Sequence, residues 1–205
     1  MTNSFQVVLI GGASHVGKSS LGKTLAGELN GKYIATDSLA RHPGRPWTNE
    51  EVKIVKPHVV EHYRNLSVPE LVSNVLKHYR HSVVPQVESL IQTHQFTSPD
   101  KYLVIEGSAI YPSLVAELVN RENIRGIWLT ASHSLLKNRI YHSSNFYHSG
   151  KAERYVIYQF LGRTWLFNRG VINDAQSRGL TIIDVSLELS IGELLNKCLL
   201  EISRS

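Results

Sequence analysis

A short stretch near the amino terminus, residues 5–19, constrains the fold more than any other part of the sequence. It reads FQVVLIGGASHVGKS: an apolar run ends at two glycines, and Gly12, Gly17, Lys18 and Ser19 then match the pattern G-x-x-x-x-G-K-[ST]. The apolar run is typical of a buried strand and the residues that follow are typical of a helix, which is the context of a phosphate-binding loop. The sequence therefore predicts that the chain binds a nucleoside triphosphate.

Each part of this loop has an expected role. The glycines allow backbone N–H groups to point at a phosphate, and the following helix directs the positive end of its dipole to the same place. We expect Lys18 to neutralise the β- and γ-phosphates and the Ser19 hydroxyl to bind Mg²⁺. The expected nucleotide-binding residues are Gly12, Ala13, Ser14, His15, Val16, Gly17, Lys18, Ser19 and Ser20. His15 is expected to face solvent. The alternative for the whole stretch is a Gly- and Ser-rich turn without a ligand.

Strand and helix patterns alternate along the rest of the chain. The predicted strands are 5–10, 32–35, 102–105, 124–129 and 180–185. The predicted helices are 19–29, 48–66, 68–94, 112–121, 132–142, 151–178 and a last one after Ser190. Capping boxes begin at Thr48, Ser67 and Ser190, and prolines are expected to kink or interrupt helices at Pro57 and Pro85. Such alternation indicates a parallel sheet, whose ligands bind at the carboxyl ends of the strands.

Two of the strands end in carboxylates. Asp37 follows the second strand, and Glu106 follows the third. An acid at the tip of an apolar strand is typical of the residue that holds the hydration shell of Mg²⁺, so Glu106 is predicted to share the metal with Ser19. A capping or structural glutamate is the alternative for Glu106. We expect both carboxylates at the edge of the sheet where the phosphate-binding loop opens.

The loop 38–47, SLARHPGRPW, follows Asp37 and is stiffened by two prolines. Arg41 and Arg45 project from this loop near Asp37, and we interpret the three side chains as a substrate-binding group. A rigid connector with solvated arginines is the alternative. Trp47 is expected to anchor the end of the loop in apolar surface.

Two further segments are interpreted as additions to the sheet. The helical stretch 48–97 lies between the second and third strands, where a substrate-binding insertion is expected. Residues 139–155 have the pattern of a mobile lid. Arg139, Arg154 and Arg163 are the candidates to reach the γ-phosphate, with a solvated helix face as the alternative for each. The aromatic side chains of the long helix are expected in the core: Tyr155, Tyr158, Phe160, Trp165 and Phe167.

Composition limits the class of protein. The chain has 205 residues, of which 42% are hydrophobic and 19% charged, and this suits one folded domain over residues 1–205. The single cysteine, Cys198, excludes an internal disulfide and is expected in the core. The absence of a signal segment and of an apolar run of ~18 residues favours a cytoplasmic protein without a membrane span. The net charge of +5 favours acidic partners, but the basic residues are dispersed, which argues against nucleic acid.

These features together resemble the P-loop kinases of small molecules, which include nucleoside monophosphate, shikimate, gluconate and 2-phosphoglycerate kinases, chloramphenicol phosphotransferase and the zeta toxins. The resemblance rests on GGASHVGKSS, on Thr36-Asp37-Ser38, on Ile105-Glu106-Gly107 and on Arg139 after the fourth strand. It implies a three-layer α/β/α fold with a five-stranded parallel sheet of order 2-3-1-4-5, a helical insertion and a lid. It also implies that Asp37 accepts the proton of an acceptor hydroxyl and that Arg139 is the lid arginine, with Arg154 and Arg163 as the alternatives for that role.

The residues and the resemblance predict an ATP-dependent phosphotransferase that moves the γ-phosphoryl group to a hydroxyl or phosphate of a small metabolite or nucleotide. ATP and Mg²⁺ are the expected cofactors, and Lys18, Asp37 and Arg139 are the expected catalytic residues. The chain lacks the D-x-D of shikimate kinases and the arginine pair of adenylate kinases, so the acceptor is not assigned. Two alternatives stay open: a nucleotide-binding regulatory switch, and a kinase of nucleic-acid ends or of a nucleotide sugar.

Overall fold

A computed structural model describes residues 5–40, 43–48, 55–187 and 189–204. In these residues the strands are β1 (Val7–Gly12), β2 (Lys32–Ala35), β3 (Leu103–Glu106), β4 (Ile124–Thr130) and β5 (Thr181–Asp184). The α-helices are α1 (Lys18–Glu28), α2 (Pro57–Asn65), α3 (Val68–His78), α4 (Val84–Thr97), α5 (Pro112–Val119), α6 (His133–Ser143), α7 (Lys151–Ser177) and α8 (Ile191–Arg204). Short helical turns occur at Thr36–Ser38, Tyr79–Val83 and Phe146–His148.

The strands form one sheet in the order β2-β3-β1-β4-β5, and every neighbouring pair is parallel. Leu9 in the central strand lies level with Ile105 of β3 on one side and with Gly126 of β4 on the other. All residues of β1 and β3 are buried, as expected for strands covered on both faces. The predicted α/β fold with a five-stranded parallel sheet of order 2-3-1-4-5 is confirmed. The carboxyl ends of β2, β3 and β1 are therefore neighbours at one edge.

The predicted starts of two helices are confirmed by hydrogen bonds. Glu70 accepts hydrogen bonds from the backbone N–H and the hydroxyl of Ser67 at the start of α3. Glu193 does the same for Ser190 at the start of α8. The capping box predicted at 48–51 lies mostly outside the described residues. α2 begins at Pro57 after an extended residue, so this proline opens the helix instead of kinking it.

The long helix predicted for 68–94 is interrupted near Pro85, as expected. α3 and α4 are joined by a π turn, Tyr79–Val83, in which the Val84 N–H donates to the Tyr79 carbonyl. Pro85 has no N–H to offer the carbonyl of residue 81, which explains why the regular hydrogen-bond pattern stops here. Tyr79 and Val83, the two ends of this turn, are both buried.

The helix α7 connects most of the helical layers, because it contacts α2, α3, α5, α6 and β4. Phe160 and Phe167 on this helix are buried, as predicted, and Trp165 packs partly buried against the core. Tyr155 and Tyr158 are 48% and 53% exposed, so their predicted place in the core was wrong. They lie in the first turns of α7, which pack against the turn at Phe146–His148.

The remaining expectations concern Cys198, membrane spans and the division of the chain. Cys198 is fully buried in α8, as predicted. None of the helices in the described ranges is long and apolar enough to cross a membrane. The division into a single domain over 1–205, an insertion at 48–97 and a lid at 139–155 stays a prediction.

Candidate functional site

The loop between β1 and α1 has the backbone geometry of a phosphate-binding loop. Gly12, His15 and Gly17 have φ angles of 133°, 65° and 100°, which lie in the region that favours glycine. No side chain fits at Gly12, because a Cβ there would overlap the carbonyl oxygen of Leu129. α1 begins at Lys18, so its unpaired N–H groups and the positive end of its dipole lie at the loop. This arrangement suits an anion.

The side chain of Lys18, the first residue of α1, reaches back to this loop. This side chain is 8% exposed, and Nζ donates a hydrogen bond of 2.7 Å to the Ala13 carbonyl oxygen. Burial lowers the pKa of Lys18, while the carboxylates of Glu106 and Asp37 oppose that change. The ammonium group is therefore held by the loop itself, with both predicted carboxylates in its electrostatic surroundings.

Glu106, at the carboxyl end of β3, is 3% exposed and accepts two hydrogen bonds at Oε1. Ser19 Oγ donates over 3.0 Å and Tyr33 OH over 2.8 Å. The structure thus brings together Ser19 and Glu106, the two residues predicted to hold Mg²⁺. Burial, with the hydrogen bond to Glu106, raises the pKa of Tyr33, which keeps its hydroxyl protonated as a donor.

Gly107 fixes the turn that follows Glu106. Its φ is 151°, and its N–H donates over 3.0 Å to the Ile10 carbonyl of β1. A Cβ at this position would overlap the Thr36 hydroxyl, so only glycine allows the end of β3 to approach the residues after β2 this closely. The Glu106-Gly107 pair therefore helps to place Thr36 and Asp37 beside the phosphate-binding loop.

The side chains of Ser19 and Glu106 fit a magnesium site. A hydroxyl and a carboxylate oxygen lie within one hydrogen bond of each other, and these are the hard oxygen ligands that Mg²⁺ prefers. Mg²⁺ commonly takes one or two such protein ligands together with substrate phosphates and water. In the part of the chain that the structure describes, no cluster of three or more His, Cys, Asp or Glu side chains could hold a metal.

A cavity of about 890 Å³ opens at this edge of the sheet. The phosphate-binding loop and Glu106 line one part of it. Asp37, the loop residues 43–45, the start of α2 and both ends of the π turn line another part. A volume of this size is typical of a site for a small molecule. Lys18 and Ser19, predicted for the triphosphate, and Asp37 and Arg45, predicted for the acceptor, therefore line the same cavity.

The described part of the cavity wall carries an excess of positive charge. Within it there are two carboxylates, Asp37 and Glu106, and five Lys or Arg side chains. These cations are Lys18, Arg45, Lys56, Arg139 and Arg163. An excess of one sign of charge inside a concave site attracts ligands of the opposite sign. The cavity is therefore suited to anionic ligands.

The structure separates the three arginines that were candidates for the γ-phosphate. Arg139 Nη1 donates over 2.9 Å to the His15 carbonyl and so lies against the phosphate-binding loop. Arg163 lines the cavity from the middle of α7. Arg154 instead donates to two carbonyls of the turn at Phe146–His148 and does not line the cavity. This turn, rather than a ligand, explains the position of Arg154.

The loop after β2 is placed as expected where it is described. Asp37 is exposed and lines the cavity together with Arg45. Arg41, also predicted to bind substrate, lies outside the described residues. Trp47 is 6% exposed and its ring packs edge-on against Phe160 with the centroids 4.8 Å apart, so the predicted anchor is confirmed.

His15 does not face solvent, and this prediction was wrong. Its ring lies 5.9 Å from the ring centroids of both Trp47 and Phe160, and Nε2 is 3.0 Å from Ser143 Oγ. Burial, together with three neighbouring cations, lowers the pKa of His15 to about 3. The sequence could not show this environment, because Trp47, Ser143 and Phe160 meet His15 only in the folded chain.

Sequence reasoning missed several residues of the site. Tyr33 orients Glu106. Lys56, Tyr79 and Ser108 line the cavity. Burial raises the pKa of Tyr79 to about 12, so its hydroxyl stays protonated. Two features of the sequence could have indicated these residues. Ser108 follows Glu106-Gly107 at the end of a strand, and Tyr79 lies shortly before Pro85, which interrupts a helix.

No protein-family model matches the sequence, and no curated protein matches it. Solved structures match over nearly the whole chain. A gluconokinase from Sinorhizobium meliloti is 16% identical with a TM-score of 0.54, over 100% of this chain and 94% of that chain. A sugar kinase from Janibacter sp. is 14% identical with a TM-score of 0.56, over 97% and 96%. A deoxyadenosine kinase from M. mycoides with bound dATP is 12% identical with a TM-score of 0.51, over 96% and 99%.

At sequence identities of 12–16%, the similarity to these solved structures shows the fold alone. The solved structures are P-loop kinases of small molecules, so the resemblance inferred from the sequence is confirmed at the level of fold. The activity and the acceptor depend on the side chains of the site, which one fold can vary widely.

Proposed function

We propose that the chain is an ATP-dependent phosphotransferase that moves the γ-phosphoryl group of ATP to a hydroxyl or phosphate group of a small metabolite or nucleotide. One observation carries the proposal: a single cavity is lined by Lys18, Ser19 and Glu106 in one part and by Asp37 in another. The fold shared with kinases of small molecules supports it.

The phosphate-binding loop is the proposed donor site. Its backbone N–H groups and the start of α1 would surround the β-phosphate. Lys18 Nζ, which donates to the Ala13 carbonyl, would exchange this hydrogen bond for the β- and γ-phosphates. Arg139, fixed on the His15 carbonyl, is proposed to neutralise charge on the transferred group. Cations held in place before the reaction need little reorganisation during it.

Ser19 and Glu106 are the residues proposed to hold Mg²⁺. When bound, this ion neutralises charge on the β- and γ-phosphate oxygens. Tyr33 keeps the Glu106 carboxylate oriented through its 2.8 Å hydrogen bond. Because Glu106 is nearly fully buried, its orientation is set by the protein and not by solvent.

Asp37 is the proposed general base for a hydroxyl acceptor. As the acceptor oxygen forms its bond to the γ-phosphorus, the bond from that phosphorus to the β–γ bridging oxygen breaks. The hydroxyl proton passes to the Asp37 carboxylate, and ADP leaves. Asp37 is exposed to the cavity and can afterwards release the proton to water. Most of the catalysis is expected from placement and charge neutralisation.

An ATP-depletion screen tests the proposal. The protein is incubated with ATP, Mg²⁺ and single members of a panel of sugars, hydroxy acids, nucleosides and nucleoside monophosphates. We expect one chemical class to consume ATP and to yield a phosphorylated product with one ADP for each product molecule. Lys18→Ala is the matched control and should slow this consumption by about 10-fold or more. ATP binding without any acceptor-dependent turnover over the whole panel would count against the proposal.

A comparison of ATP with GTP separates the proposal from a regulatory switch. A guanine-nucleotide switch binds GTP tightly and releases phosphate without an acceptor. We expect ATP to support acceptor phosphorylation and expect the turnover without acceptor to be a small fraction of it. Tight GTP binding with no acceptor-dependent turnover would favour the switch.

A further inference from the structure

Arg163 is a buried charge that has no role in the proposed transfer step. It lies in the middle of α7 and is 7% exposed, yet it lines the cavity. Nη1 donates a hydrogen bond to the Tyr63 hydroxyl, and the guanidinium carbon lies 5.1 Å from the ring centroid of Phe160 and 5.8 Å from that of Tyr63. Two aromatic rings and one hydroxyl therefore hold the guanidinium in a fixed position.

Within the described residues, no ion pair neutralises the charge of Arg163. None of their carboxylates forms a salt bridge with it, and its buried Nε has no hydrogen-bond partner among them. A buried guanidinium is costly unless an anion compensates it. Its presence at a cavity wall, with a donor left unused, indicates that the compensating anion comes from a ligand.

The surroundings of Arg163 place this anion on the acceptor side. Tyr63, whose hydroxyl accepts a hydrogen bond from Arg163, donates in turn over 3.0 Å to the Gly44 carbonyl in the loop that follows Asp37. Arg139 instead donates over 2.9 Å to the His15 carbonyl of the phosphate-binding loop. Hydrogen bonds therefore connect Arg163 to the loop after β2 and Arg139 to the phosphate-binding loop, and the influence of both Arg163 and Asp37 on the pKa of Tyr79 agrees with this placement.

Hydroxyl side chains line the cavity together with Arg163. They belong to Ser14, Tyr79 and Ser108, and the same residues pack with Arg163, Thr164 and Phe167 around a gap that has no room for a water molecule. Tyr79 and Ser108 carry hydroxyls, and the hydrogen bond between these two side chains keeps them together. A guanidinium with neighbouring hydroxyl donors is the combination that recognises the oxygens of a carboxylate or a phosphate monoester.

We propose that the acceptor carries an anionic oxygen group, a carboxylate or a phosphate monoester, that binds Arg163 while the reacting hydroxyl faces Asp37. The proposal rests on the proposed phosphotransferase function and adds the chemical class of its acceptor. Arg163 is then a specificity-determining residue: it compensates a charge that a neutral acceptor leaves unpaired. Neutral sugars and nucleosides are disfavoured for this reason.

Matched pairs of acceptors test the proposal, each pair differing in the anionic group. Carboxylate pairs are D-gluconate with D-glucose and D-glycerate with glycerol. Phosphate pairs are thymidine 5′-monophosphate with thymidine and glucose 6-phosphate with glucose. We expect wild-type kcat/KM to be at least about 30-fold higher for the anionic member of the productive pair. The productive pair also tells a carboxylate from a phosphate. An equal or higher kcat/KM for the neutral member would overturn the proposal.

Variants of Arg163 test whether this side chain causes the preference for anionic acceptors. Arg163→Met should reduce the preference to within about 3-fold and leave the KM for ATP within about 3-fold. Arg163→Lys keeps the charge but not the planar fork and should retain part of the preference. Tyr63→Phe removes the hydroxyl that accepts from the guanidinium and donates to the Gly44 carbonyl, and it should weaken anionic acceptors by less than Arg163→Met. A large loss of ATP affinity in Arg163→Met would instead assign Arg163 to the triphosphate and overturn the proposal.

If no acceptor of the panel reacts, a binding measurement tests whether Arg163 binds an anion. With an excess of a non-hydrolysable ATP analogue, increasing acetate or inorganic phosphate should raise the thermal unfolding midpoint of the wild type more than that of Arg163→Lys. Equal responses of the two proteins would overturn the proposal. Failure of the analogue itself to bind would remove the phosphotransferase function, which is a different result from the loss of anion preference.

Discussion

Replacement of His15 by asparagine should remove a pH-dependent part of the stability of this protein. His15 packs against Trp47 and Phe160, and burial with the charges of neighbouring cations lowers its pKa to about 3. Asparagine is chosen because it tolerates the backbone φ of 65° at this position. Its amide does not titrate, so any stability change caused by protonation of His15 is absent from the variant.

The direction and size of the effect follow from proton binding. The pKa of His15 is about 3 in the folded protein and 6.5 in the unfolded chain, so as the pH falls the unfolded chain binds the proton first. The folded state therefore loses stability below about pH 6.5, and the loss continues to about pH 3. One pKa unit corresponds to about 1.4 kcal/mol, so about 2 kcal/mol is lost at pH 5. For a chain of this length this equals about 4–8 °C in Tm.

Thermal unfolding of the wild type, His15→Asn and His142→Asn at about pH 7.5 and pH 5 measures this effect. His142 is exposed and serves as the control for removal of a histidine. His15→Asn is expected to be less stable at pH 7.5, because its packing on Trp47 is reduced. Between the two pH values the wild type and His142→Asn should lose about 2 kcal/mol more than His15→Asn. The same loss in all three proteins would refute the account of a buried, neutral His15.

Lys18→Ala should weaken both ATP binding and turnover by about 10-fold or more, because charge-assisted hydrogen bonds are lost; unchanged ATP affinity in titration calorimetry would contradict the assignment of the loop. Trp47→Ala should lower the free energy of unfolding in urea by about 3–5 kcal/mol. Trp47→Phe should lower the free energy of unfolding by less, about 1–2 kcal/mol, because Nε1 has no hydrogen-bond partner among the described residues. Equal losses in the two variants would argue against packing as the role of Trp47. Burial raises the pKa of Cys198 to about 12, so the folded protein should react with a thiol reagent at about pH 8 at least ~10²-fold more slowly than the urea-unfolded chain, and similar rates would show that the thiol is accessible.

The donor part of the site could be predicted from the sequence because its residues follow one another in the chain. Gly12 to Ser20 form one continuous segment, from the end of β1 to the first turn of α1, with a known backbone requirement, and the strand and the helix that it joins have clear patterns. Glu106 could be placed next to Ser19 because parallel strands end at one edge, and the hydrogen bond of 3.0 Å agrees with that expectation.

The acceptor part could not be predicted, because it depends on contacts between distant segments. Arg154 and Arg163 belong to the same helix and were candidates for the γ-phosphate for the same reason. In the structure the Arg154 side chain donates to nearby backbone carbonyls, whereas Arg163 lines the cavity. Tyr63 and Tyr79, which surround Arg163, come from α2 and from the π turn. No pattern in the sequence relates these elements, since their packing is decided by the folded core.

Transfer of labelled phosphate tests the central claim most directly. The protein is mixed with γ-labelled ATP, Mg²⁺ and the acceptor panel, and the label is followed into acceptor and into inorganic phosphate, for the wild type and for Asp37→Asn. The account predicts that the wild type places the label on an acceptor. It predicts that Asp37→Asn binds ATP with nearly the same affinity but transfers the label ~10²-fold or more slowly. Label found only in inorganic phosphate, or equal transfer by both proteins, would contradict it.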